Sequence, residues 1–404
     1  MDYRMLISPA DLAAQAAGCV VTLADPDARA NAFHWHRARP WLARVVDALG
    51  DCGDAEIRDA SRGLLREPTD ARAYERLKTA VADAPSPVRE DLLPVVAAAR
   101  AHSRVGLHHG ARYADRIAGG RQDYRPATPS RPAASQGSRS VRVVVPFRDR
   151  DPEHPRLQNL LACLAALNDQ TTDRGEYAVT VVESDSEPRW QQIVEPLADD
   201  YLFAYNEGPF NKSWAVNVGV VESAAQTATV CVLDGDALVD RDFVRRNVER
   251  FTEAALGAFM PFRDLLYLDP ESSSWAVAAR CVRRAAAVDT ELVRGFLGYR
   301  SPGVCVWMRR DIFEHVGGFD ERYEGWGGED FDLILRLQAA TAFHVYDDPM
   351  LHLHHPFSAD LVDDHGDSVN RHLQPLTWRP ETRIGLRTRY APADADRMTA
   401  TGAG

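Results

Sequence analysis

The 404-residue sequence contains no run of about 18 consecutive apolar residues, so it offers no candidate membrane-spanning helix. Its six cysteines, at 19, 52, 163, 231, 281 and 305, form no CxxC pair and no regular spacing. That excludes a disulfide framework or a zinc ribbon and fits reduced thiols used as small apolar residues. Positive charge is in deficit: 47 Lys and Arg stand against 59 Asp and Glu, a net charge of −12. A nucleic-acid partner needs a basic face, so none is expected. The opening residues, MDYRMLISPADLAAQAAGCVVTLADPDARA, have neither a basic start nor a sustained apolar core, a poor signal peptide. A cytoplasmic protein is the expectation. No glycine-rich phosphate loop follows the first predicted strand, which argues against a nucleotidyltransferase.

What is present is an ordinary globular composition, 45% apolar and 26% charged, in a chain long enough for two domains. Residues 1–120 show helical apolar spacing, as in WLARVVDALG, where Trp41, Val45, Val46 and Leu49 recur at three and four residues. DLLPVVAAARAHSRVGLHHGARYADRI reads the same way, interrupted at Pro94. The region carries no catalytic signature, and its histidines at 34, 36, 102, 108 and 109 read as core or surface residues. Residues 121–140 are rich in Pro, Ser and Gly and read as a linker. From 141 to about 360 the pattern alternates. VRVVVPF, YAVTVVESDS and TATVCVLDGDA read as buried strands, RLQNLLACLAALNDQ and SWAVNVGVVESAA as helices. Such alternation predicts an α/β domain with a mostly parallel sheet. Ligands bind beyond the carboxyl ends of such strands, so Arg148 and Asp149, Glu183 and Asp185, and Asp234 and Asp236 should face one crevice. Residues 361–404 read as an irregular extension with a loose tail.

Three stretches carry the chemistry. In LDGDA, Asp234 and Asp236 flank Gly235 at a strand end, a pair suited to a hard divalent cation. VYDDPMLHLHH reads as a strand whose alternation puts His352 and His354 on one face and His355 on the other. A histidine added to carboxylates favours manganese-type chemistry. In EGWGGEDFDLILRL a helix follows Trp326, Gly327 and Gly328, with Glu329, Asp330 and Asp332 in its first turn. An aromatic on a glycine hinge suits a closing lid, and a carboxylate at its base can take a proton from a hydroxyl.

Residues 141 to about 357 resemble GT-A-fold glycosyltransferases, nearest to the β-1,4-galactosyltransferases, within a circle that includes the chondroitin-polymerase and polypeptide N-acetylgalactosaminyltransferase catalytic domains. VVVPFRDR, GPFNKSWAVNVGV, VCVLDGDALV and GWGGEDFDLILRL carry the resemblance, in that order, with a histidine-bearing strand after them. It implies a GT-A domain behind an N-terminal helical one, and an inverting, metal-dependent transfer of a hexose or N-acetylhexosamine from a UDP-sugar. The acceptor would be a glycan, a peptide or a small natural product. Mn2+ or Mg2+ would serve as cofactor, and a homo-oligomer is left open. Pro146, Phe147, Arg148 and Arg150 would hold uridine and pyrophosphate, and Glu183 or Asp185 would approach the uracil or ribose. Phe210, Asn211 and Lys212 would lie along the donor, with Asp234 nearer the ribose and the ion's outer shell and Gly235 in the nucleotide-sugar site. Asp236 would bind the metal with His352 or His354. Trp326, Gly327 and Gly328 would form the lid, Glu329 would grip sugar hydroxyls and Asp330 would be the base. Gly235 and Lys212 depart from the galactosyltransferases, which have a larger apolar residue and an arginine there. The alternative is a carbohydrate- or nucleotide-binding module without turnover.

Overall fold

Val141–Phe147 (β2) is buried along its whole length, and its β-branched residues supply both faces of a central strand. The computed structural model describes residues 8–118, 139–223, 227–253, 255–325, 327–356 and 369–390. Before β2 come helices α1 (Pro9–Ala24), α2 (Ala32–Asp51), α3 (Ala55–Arg66), α4 (Ala71–Asp83) and α5 (Ser86–His102). Strand β1 (Val105–His109) and helix α6 (Tyr113–Ala118) complete the region. Ser8, Asp54 and Asp70 cap α1, α3 and α4 by accepting first-turn amide hydrogens, as short polar residues do at helix starts. The small residues Ala13, Ala16 and Ala17 of α1 are buried where the other helices close around it. Pro94 does not end α5. It forfeits one backbone bond, and buried Leu92 and Val96 on either side keep the turns packed. SRVGLHH, read above as helical, is instead strand β1, paired antiparallel with a strand nearly 200 residues later.

After β2 follow α7 (Pro155–Asn168), β3 (Tyr177–Glu183), α8 (Gln191–Val194), β4 (Asp200–Phe203), α9 (Lys212–Val221), β5 (Thr229–Leu233), β6 (Ala237–Leu238) and α10 (Phe243–Arg250). Then come β7 (Leu256–Met260), β8 (Asp264–Leu268), α11 (Pro270–Val277), β9 (Arg294–Tyr299), β10 (Cys305–Arg309), α12 (Arg310–His315), α13 (Glu329–Ala340), β11 (Ala342–Val345) and β12 (Met350–His352). Seven strands form one sheet in the order β11-β7-β10-β5-β2-β3-β4. β5, β2, β3 and β4 are parallel, and β10 runs antiparallel between β5 and β7. Val143 and Val145 face one core with Leu160 and Leu164 of α7, while Val144 faces another with Trp214 and Val218 of α9. The sheet is therefore covered on both sides, as its continuous apolar strands require.

A second sheet, not anticipated from the sequence, runs β1-β9-β8-β12-β6. VYDDPMLHLHH supplies two strands rather than one. Its first part, β11, lies at the edge of the large sheet, and its last part, β12, lies between β8 and β6 in the small one. Pro349 has no amide hydrogen for a ladder, and Asp348 pairs with Arg246 and Arg250 at 2.9 and 2.7 Å, which fixes the break. The region expected as a separate helical domain, 1–120, shares this small sheet through β1, and Phe296 of β9 belongs to the helical core. The expected linker falls outside the described residues over 121–138, as does the tail over 391–404. All six cysteines are free thiols. Among the described residues no helix is long and apolar enough to cross a membrane.

Candidate active site

The turn after β5 carries Asp234 and Asp236, with Asp234 N–H donating to Val304 O at 2.8 Å. β6 follows at once and pairs with β12, which sets His352 opposite Ala237. Leu353 N–H donates to Asp236 O at 2.8 Å. This short ladder brings His352 Nε2 to 3.3 Å from Asp236 Oδ1. His355 Nε2 stands 3.2 Å from Asp236 Oδ2. One ligand atom from each of the three residues lies within 4.8 Å of the others.

The hydrogen bonds fix how these imidazoles present themselves. His352 Nδ1 is 2.9 Å from Leu353 O and His355 Nδ1 is 3.0 Å from Pro356 O. A carbonyl only accepts, so each Nδ1 carries a proton and Nε2 is the ring atom turned toward the carboxylate. Burial pushes His352 down to about 4, although Asp236 pulls the other way. Burial opposes ionisation of Asp236 too, yet the two histidines hold its carboxyl well below the usual range. One carboxylate and two Nε2 atoms, each oriented by a backbone carbonyl, fit a manganese-type divalent cation. His354 does not take part. β12 ends at His352, so strict alternation stops there, and His354 Nε2 lies 3.7 Å from Asp27 Oδ1 instead.

Beside this cluster, Lys212 opens α9, whose start is capped by Asn211 Oδ1 accepting from Trp214 N–H at 2.8 Å. Lys212 Nζ contacts Asp234 at 2.8 Å and Asp330 at 3.1 Å. Asp330 arrives there because Gly327 and Gly328 take φ of 93° and 101°, a left-handed turn that suits glycine and starts α13 abruptly. Gly303 backs the carboxylate: a Cβ at that position would stand 2.7 Å from Asp330 Oδ2. Glu329 is buried with Oε2 unbonded, and burial together with Asp330 raises its carboxyl to about 8. Burial also lifts Asp234 to about 7, against the pull of Lys212. Asp332, the third acid of the turn, bonds Arg336 and the Leu376 amide and stays outside the cluster. Trp326 lies outside the described residues.

The residues expected around the nucleotide occupy the ends of β2 and β3. Pro146 and Phe147 are the last residues of β2. Arg148 donates to the carbonyls of Ser184, Asn206 and Gly208 and stacks over Phe210, so in this structure it braces the 206–210 loop. Arg150 pairs with buried Asp185 at 2.7 Å. Glu183 accepts from Tyr201 Oη at 2.5 Å, and its Oε1 is buried without a hydrogen bond. Asn211 Nδ2 donates to Glu321 O and Tyr390 Oη, each at 2.8 Å. Gly235 packs against Leu160.

Sequence reasoning missed Arg156, whose Nη1 lies 3.4 Å from His355 Nε2 at the start of α7. It missed Gly303 as well. Neither lies in a motif, and only the fold brings them in.

Residues 142–317 match the family described as Glycosyl transferase family 2, and residues 292–350 match the N-terminal domain of galactosyltransferase. Both matches describe glycosyltransferases, and together they run over residues 142–350. Among solved structures, the chain is similar to a mannosyltransferase from Pyrobaculum calidifontis in complex with GDP-Man and Mn2+. The identity is 18%, over 60% of this chain and 62% of that one, with a TM-score of 0.37. A mutant Drosophila β-1,4-galactosyltransferase 7, complexed with manganese, UDP-Gal and xylobiose, is 18% identical over 54% of this chain and 72% of that one, TM-score 0.34. S. aureus TarS is 13% identical over 53% and 37%, TM-score 0.38. This chain thus spans under two thirds of the length of the mannosyltransferase and of TarS. No curated protein matches the sequence.

Proposed function

We propose that the chain is a metal-dependent, inverting glycosyltransferase that moves a hexose or N-acetylhexosamine from a UDP-sugar to an acceptor hydroxyl, with Asp330 as general base. The acceptor is a glycan, a peptide or a small natural product. One observation carries the reading. Lys212 Nζ contacts Asp234 and Asp330 at once, so the metal-motif turn and the helix-start carboxylate, nearly 100 residues apart, meet at one ammonium.

Asp236, His352 and His355 would hold the cation. When bound, it supplies positive charge against the diphosphate that leaves. Arg156 and Lys212 add fixed positive charge on either side of that position. Lys212 also orients Asp330. As donor phosphates compete for the ammonium, the carboxylate is freed to take the acceptor proton, a contribution of about 10²- to 10⁴-fold. Glu329, whose carboxyl burial raises to about 8, leaves Oε2 unbonded for a sugar hydroxyl. Gly327 and Gly328 provide the hinge of a lid that excludes water.

The direct test offers a panel of UDP- and GDP-sugars with Mn2+ and follows nucleotide release. Asp330→Asn should bind nucleotide as the parent does and lose turnover by at least 100-fold. Unchanged turnover would remove Asp330 from the base role.

A further inference from the structure

The helical region before β2 touches the segment that carries the metal cluster through Asp27 and His354. Arg294 of β9 is buried between Asp269 and Asp25, the residue that follows α1. Asp25 Oδ1 in turn accepts from Asp27 N–H at 2.9 Å, fixing the turn that carries Asp27. The Asp27 carboxylate stands 3.7 Å from His354 Nε2. His354 lies between His352 and His355, whose Nε2 atoms both face Asp236. Its backbone is held at two further points: its N–H donates to Ser273 Oγ at 2.7 Å, and its carbonyl accepts from Asn159 Nδ2 at 3.1 Å. The segment has left the strand ladder here, so these tethers replace the ladder as the source of rigidity.

We propose that the N-terminal helical region braces the metal site, with Asp27 as a positioning residue that acts through His354 to hold His352 and His355 in register with Asp236. This rests on the reading of Asp236, His352 and His355 as a cation site. Groups that orient metal ligands without touching the metal typically change affinity by 10- to 100-fold. Asp27 is one residue further out and half-exposed, so the lower end applies.

The test measures Mn2+ affinity of the full chain directly, by electron paramagnetic resonance of the free ion, with thermal melting alongside. Asp27→Asn and His354→Gln should each weaken Mn2+ binding about tenfold without lowering the melting temperature, and the double variant should be no weaker than either single one. That coincidence marks one shared pathway, which general loosening would not give. A loss below threefold in both single variants would overturn the brace, as would additive losses in the double variant. If the parent protein bound no Mn2+, the cation-site reading itself would fail, a result distinct from the other two.

Discussion

Lys212→Met removes a single ammonium and keeps most of the side-chain volume, so it isolates charge from packing. In the parent protein Nζ lies 2.8–3.2 Å from oxygens of Asp234 and Asp330. At an effective dielectric of about 20, each such pair is worth about 5–6 kcal/mol before desolvation is counted. Stripping a buried carboxylate of its partner costs about 3–5 kcal/mol. These side chains keep some solvent contact, 12% for Lys212, 24% for Asp234 and 18% for Asp330, which favours the lower end. A loss of about 3 kcal/mol is expected, visible as a melting temperature lower by about 3–4 °C. Lys212→Arg keeps the charge and should recover more than half of it, although a planar fork cannot reproduce a point contact with both acids. Nucleotide release from UDP-sugars should fall at least tenfold in Lys212→Met, because Asp330 loses its orienting partner. A variant within about 0.5 kcal/mol of the parent and with normal turnover would refute the idea that Lys212 joins the metal-motif turn to Asp330.

Gly303→Ala approaches the base from its other side. The new methyl would stand 2.7 Å from Asp330 Oδ2, so the carboxylate must move. Turnover should drop about tenfold or more, with nucleotide affinity unchanged and stability lower by about 1–3 kcal/mol; steady-state kinetics and nucleotide titration check both. Glu329 gives a pH signature. Its folded carboxyl is raised from an ordinary 4.5 to about 8, so its contribution to stability is complete below pH 4.5 and is lost as pH rises to 8. Metal-free protein should therefore melt at progressively lower temperature between pH 5 and 8. Glu329→Gln should flatten that slope, by up to about 1.4 kcal/mol per pH unit. Parallel profiles for the two proteins would show that Glu329 is already ionised.

The strands of the large sheet were readable because each is a self-contained statement. VRVVVPF, YAVTVVE and TVCVL are apolar and β-branched throughout, and only a strand buried on both faces uses residues that way. The small sheet was not readable. β6 has two residues and β12 three, too few to show any period, and β1 is a strand because β9 lies beside it. Local preference says nothing about a partner nearly 200 residues away. SRVGLHH lies between two helices, α5 and α6, and shares their apolar spacing.

The same distinction explains the histidines. Alternation is a property of a paired strand, and the pairing of β12 stops at His352, where Leu353 N–H turns to the Asp236 carbonyl. Beyond that point side-chain direction is set by what each backbone group can bond. Ser273 and Asn159 capture the His354 backbone, which swings its ring toward Asp27 and returns His355 to the Asp236 side. A rule of period two selects His354 over His355, whereas an account of every backbone donor selects the reverse. Motif spacing could bring Asp236 and a histidine together, but the identity of the second imidazole is decided by tethers from α7, α11 and the turn after α1. His355→Ala should accordingly weaken Mn2+ binding more than His354→Gln does, by about tenfold in a direct titration, and the opposite ranking would return His354 to the ligand set.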